Sequence, residues 1–151
     1  MKKAFAVVGH SHWGKSWTLR ALTDDAIQYR YWTIKETQFR IKRMSNDDDP
    51  EGLLKFISKL GKPYDQYLIY ALCPNFNKNE GRSTDRILNN LHDKGYKLHF
   101  WVIQHQSDGD GIITAQEISE LKKYGHVEVY SNKVDEKHRA KYFEKYVTTN
   151  L

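Results

Sequence analysis

A chain of 151 residues with 39% hydrophobic and 28% charged residues has the makeup of one globular domain and not of a disordered segment. Its 24 Lys and Arg against 19 Asp and Glu leave a formal charge of +5, dispersed along the chain. That balance suits small polyanions such as nucleotides and does not mark a nucleic-acid surface.

In chain order, Lys3 to Gly9 carries Ala-Phe-Ala-Val-Val and predicts a buried strand ending in glycine. Lys15 to Leu22 continues as a helix with Leu19 and Leu22 on one side. Tyr29 to Glu36 and Gln38 to Met44 both alternate, with aromatic β-formers in the first, and predict a hairpin. Asn46-Asp47-Asp48-Asp49-Pro50 breaks the pattern and reads as a solvated turn. The helix after it carries Leu53, Leu54, Phe56, Ile57 and Leu60, and Gly61 and Pro63 stop it.

Gln66 to Cys73 is the clearest buried strand. Ser83 or Thr84 can cap a helix with Ile87, Leu88 and Leu91, ending near Gly95. Lys97 to Gln104 is another strand, Thr114 caps a helix with Ile118 and Leu121, and Gly125 closes it. His126 to Tyr130 is a short strand, and Asp135 to Val147 a last helix with Ala140, Phe143 and Val147 inward. Apolar strands alternating with amphipathic helices predict an α/β fold, with a mainly parallel sheet of five or six strands between two helical layers. The whole chain, 1–151, is read as one such domain. Cys73 is the only cysteine, which excludes an internal disulfide, and no apolar run reaches the roughly 18 residues of a membrane span. The N-terminus lacks the features of a signal peptide, so a cytoplasmic location is expected.

Gly9-His10-Ser11-His12-Trp13-Gly14-Lys15-Ser16 meets the pattern G-x-x-x-x-G-K-[ST] at every fixed position, between the first strand and a helix. Its glycines let the backbone turn N–H groups inward onto phosphate oxygens, and the helix adds the positive end of its dipole. Lys15 is placed to reach β- and γ-phosphates, and the Ser16 hydroxyl to ligate Mg²⁺. His10, Ser11, His12, Trp13 and Trp17 are expected around the nucleotide, GTP or ATP. The histidines lack a neighbouring carboxylate or cysteine to complete a metal set.

The order of segments resembles the GTPase class of P-loop proteins over most of the chain. Asp49-Pro50-Glu51-Gly52 fits that class's D-x-x-G after the hairpin, and Thr33 falls where a Mg²⁺-sensing threonine is expected. His105-Gln106-Ser107-Asp108 keeps only the aspartate of N-K-x-D, and Ser131-Asn132-Lys133 is close to S-A-K. The resemblance implies Mg²⁺ held by Ser16, Thr33 and Asp49, and a base read by Asp108, Ser131, Asn132 and Lys133. It implies hydrolysis by water attack on the γ-phosphate, slowed because Leu53 stands where many members have glutamine. It also implies switch segments around Thr33 and Asp49 that contact a protein partner, and these would suffice for a nucleotide-gated module without turnover.

A second alignment resembles nucleotide kinases and ATPases, and takes Gln66 to Cys73 as the strand beside the first one. The hairpin is then unnecessary, and Cys73-Pro74-Asn75 stands where an acid normally ends that strand. The polar segment Phe39 to Met44 suits this alignment, since the GTPase-like one makes it a central strand. Finally, Gln106 to Glu117 resembles an EF-hand calcium loop, with Asp108, Asp110 and Glu117 as ligands and Gly111 at the turn. Gln106 replaces its first aspartate, and a strand precedes it where an EF-hand has a helix. The other reading of this segment is a polar turn ending in the Thr114 cap.

Overall fold

The computed structural model describes residues 1–24, 31–61, 63, 65–76, 83–107, 109–133 and 136–151. Six strands form one sheet: β1 (Lys2–Val8), β2 (Tyr31–Ile34), β3 (Thr37–Lys42), β4 (Tyr67–Leu72), β5 (Tyr96–Ile103) and β6 (Gly125–Tyr130). Their spatial order is β2-β3-β4-β1-β5-β6, parallel throughout except for the antiparallel β2–β3 hairpin. The hairpin turns through Lys35 and Glu36, whose φ values of 45° and 71° are the left-handed pair that a two-residue turn requires. Five helices fill the intervals: α1 (Lys15–Leu22), α2 (Pro50–Ser58), α3 (Thr84–Asp93), α4 (Ala115–Lys122) and α5 (Glu136–Thr149). α1 packs on α5 and α2 on α3, an arrangement compatible with three α/β/α layers. No described helix is long and apolar enough to cross a membrane.

Apolar content sets the strand order. Ala4 to Val8 of β1 and Leu68 to Leu72 of β4 are buried, as strands covered on both faces must be. β3 interleaves Gln38, Arg40 and Lys42 with Phe39 and Ile41, so it lies one place further out, between the hairpin edge and β4. β1 therefore pairs with β4 and β5 and not with β3, the strand placement of the second alignment. The register puts Val8 opposite Leu72 on one side and Val102 on the other. The loops leaving β1, β4 and β5 thus emerge at one level on the carboxyl edge.

A histidine sits in the core without hydrogen-bond compensation, as does the hydroxyl of Tyr70. His99 of β5 is 4% exposed and stacks on Phe5 at 4.8 Å, with His126 and Tyr146 around it. Neither ring nitrogen has a hydrogen-bond partner. Burial lowers its pKa to about 4, helped by the charges of Lys3, His126 and Lys97.

Candidate functional site

The Gly9–Ser16 loop leaves the central strand and enters α1. Gly9 N–H donates to the Leu72 carbonyl (3.1 Å), extending the sheet by one rung. Gly14 caps α1 at φ 81°, a left-handed conformation that glycine adopts without a Cβ penalty. His12 shares that region at φ 66°, which is unusual for a residue with a side chain. The loop is braced from two further sides. Fully buried Arg139 of α5 donates through Nη1 to the Trp13 carbonyl at 2.5 Å. Gly111, after β5, lies so close that a Cβ there would stand 2.7 Å from the Trp13 indole.

Lys15 is 3% exposed, and its Nζ donates to the His10 carbonyl at 2.7 Å. Burial lowers its pKa, while Cys73, Asp48 and Asp47 pull it back up. The ammonium is thus held inside the loop, in the electrostatic reach of two carboxylates. The His10 ring joins three elements. Its Nε2 meets Glu117 Oε2 at 3.0 Å, its Nδ1 faces Cys73 Sγ at 3.9 Å, and its edge packs on Trp13. An ionised carboxylate only accepts, so Nε2 donates in the Glu117 contact, while the Cys73 thiol has its own acceptor in Asn75 Oδ1 at 3.4 Å. Burial pushes the Cys73 thiol up to about 11, so it stands protonated at neutral pH.

The segment after β3 closes the site. The Asn46 side-chain amide pairs with Cys73 twice, donating to its carbonyl (3.0 Å) and accepting its N–H (2.7 Å), like an added rung of sheet. This pairing carries the next residues toward Lys15. Asp47 accepts from Asn75 Nδ2 at 3.1 Å, and Asp48 from Ser45 Oγ at 3.1 Å. Thr84 Oγ1 ties the end of β4 to α3 by donating to the Cys73 carbonyl at 2.8 Å. Asp47 and Asp48, read from the sequence as a solvated turn, are therefore the carboxylates nearest the loop lysine in electrostatic effect. No short motif signals this, because the acids come from the strand next to the one where the second alignment looks for them.

The remaining candidates are dispersed. Asp49 is the N-cap of α2: its Oδ1 accepts Gly52 N–H at 3.1 Å, and Lys42 Nζ stands 3.3 Å from Oδ2. The D-x-x-G spacing is that of a cap residue and its N3 partner. Ser16 lies in the first turn of α1. Thr33 is exposed on β2 and lines a groove that also includes Trp17. Ser131, Asn132 and Lys133 are exposed after β6, with Lys133 Nζ on the Gly109 carbonyl at 3.0 Å. Asp108 lies outside the described residues. Of the other calcium candidates, Asp110 is exposed, whereas Glu117 completes a capping box with Thr114 besides holding His10. Among the described residues no three His, Cys, Asp or Glu form a metal-binding group.

Fold and site together define an α/β protein, its mostly parallel sheet presenting a glycine-bounded loop and a buried lysine at the carboxyl edge. Comparisons with family models, curated proteins and solved structures find no match.

Proposed function

We propose that this chain binds the phosphates of a nucleoside triphosphate, with Mg²⁺, in the Gly9–Ser16 loop, and works on the plan of the kinases and ATPases. One observation carries the reading: a strand–loop–helix junction holds Lys15 buried, its Nζ on the His10 carbonyl and in the electrostatic reach of Asp47 and Asp48, at the carboxyl edge of a parallel sheet, the edge where such sheets bind ligands. A lysine almost never sits so deep without an anionic partner to receive it. The loop N–H groups cradle the phosphates, and Lys15 exchanges the His10 carbonyl for a phosphate oxygen. Ser16, Asp47 and Asp48 offer hard oxygen donors that suit Mg²⁺ and its bound waters. Mg²⁺, when bound, neutralises charge on the transferring phosphoryl group.

Cys73 at the end of β4, in the position of the usual acid, favours a second reading: tight binding with little turnover. A thermal-shift series with ATP, GTP, ADP and GDP, with and without Mg²⁺, tests the first reading. Stabilisation by triphosphates that Asp47→Asn makes independent of Mg²⁺ supports it, and a flat response to all four overturns it. Phosphate release without an acceptor marks hydrolysis. Binding with no release, alone or with acceptors, marks the second reading.

A further inference from the structure

A groove of about 900 Å³ runs between α1, β2 and α5, within the size range of small-molecule sites. Trp17, Leu22, Trp32, Thr33, Lys137 and Lys141 are among the residues that line it. Its two long walls begin at the same level. α1 follows β1 and α5 follows β6, and β1, β5 and β6 are parallel, so both helices start at the carboxyl edge where the Gly9–Ser16 loop lies. Trp17 and Lys137 each stand in the first turn of their helix and so mark the end of the groove next to that loop. Trp17 directly follows Ser16.

Trp17 is 58% exposed, the most exposed aromatic side chain among the described residues. Its neighbours in α1 show that this is not a failure of packing, since Thr18, Leu19 and Leu22 are buried. The Arg20 guanidinium lies over the indole, 4.3 Å from its ring centre, and holds the ring in place. A large apolar ring kept in water and braced by a cation is a platform for a flat π-system. Beside it, Lys137 and Lys141 supply donors for the acceptor groups of a base edge or sugar.

We propose that the nucleobase of the bound nucleotide stacks on Trp17 at the loop end of this groove, which makes Trp17 the main base-binding residue. Stacking tolerates any base, so ATP and GTP bind with similar affinity, unlike a site that reads the base through an aspartate. The inference rests on the phosphate reading above, and two probes separate them. Inorganic tripolyphosphate reports the loop alone, while ATP and GTP report loop and groove together.

The test is calorimetric titration of the full chain with Mg²⁺ and each probe. In Lys15→Met all three probes lose affinity. In Trp17→Ala, ATP and GTP weaken by between about fivefold and 150-fold while tripolyphosphate is unchanged, and Trp17→Phe, which keeps an aromatic face, restores most of the loss. ATP affinity unchanged in Trp17→Ala overturns the base proposal and leaves the phosphate reading standing. Equal losses for tripolyphosphate and nucleotides in Trp17→Ala overturn it as well, because Trp17 then supports the loop and not the base. If the wild type binds none of the probes, both readings fall together.

Discussion

Replacing Lys15 with Met removes the ammonium while keeping an unbranched stem of similar length. The folded protein holds that ammonium 3% exposed with a lowered pKa, which means that desolvation outweighs the pull of Cys73, Asp48 and Asp47. Burying an ion costs several kcal/mol before compensation, whereas the lost bond to the His10 carbonyl is worth about 1.5–3 kcal/mol. The His10 carbonyl keeps the Trp13 N–H at 3.3 Å, so the substitution leaves no orphaned acceptor there. Urea unfolding should therefore find Lys15→Met as stable as the wild type or more so. As pH rises toward 10.5 the wild type should gain stability relative to Lys15→Met, because the buried lysine sheds its proton more readily than the unfolded chain does, while the raised Cys73 thiol acts in both proteins. Affinity should move the other way. A charged hydrogen bond to phosphate is worth about 1.5–3 kcal/mol, so calorimetry with Mg²⁺ and ATP should show a loss of about 10- to 150-fold. A variant destabilised by more than about 2 kcal/mol with its nucleotide affinity intact would make Lys15 a structural residue and refute this reasoning.

Asp49→Ala removes the cap of α2 and should cost about 1 kcal/mol in urea unfolding, leaving Mg²⁺-dependent nucleotide affinity unchanged. A loss of affinity matching that of Lys15→Met would instead return Asp49 to the metal, as the GTPase-like alignment has it. His99 is held at about 4 against 6.5 in the unfolded chain, so its contribution is fully present above pH 6.5 and is lost as pH falls toward 4. The gap corresponds to about 3 kcal/mol. His99→Phe should flatten stability between pH 7 and pH 4, and a variant with the wild-type pH profile would clear His99 of the effect.

Local chemistry was legible in the sequence wherever it depended on neighbours along the chain. The hairpin, the Thr114 cap and the strand–loop–helix setting of Lys15 are all of this kind. Strand order was not, because whether β3 or β4 lies beside β1 is decided by burial across the sheet. The one signal was the polar alternation of Gln38, Arg40 and Lys42 against the continuous apolar run of β4. The surroundings of Lys15 were not legible for a related reason. Asp47 and Asp48 act on Lys15 electrostatically from a segment tied down by the pairing of Asn46 with Cys73, 27 residues away, and no spacing rule encodes that pairing. Asp49 drew attention through D-x-x-G, a spacing that helix capping produces equally well. Glu117 stands in the sequence as a calcium-ligand candidate, and its hold on His10 crosses 107 residues.

Phosphate received by the backbone of Gly9–Ser16 is tested at those atoms by amide NMR. Titrating the ¹⁵N-labelled chain with Mg²⁺ and ATP should shift the N–H signals of Ser11 through Ser16 in a saturable way. Those of exposed His126 and Glu128 on β6 should stay still, and Lys15→Met should show no saturation over the same range. Saturable binding that leaves the Ser11–Ser16 amides unmoved, or no binding at all, would contradict the account.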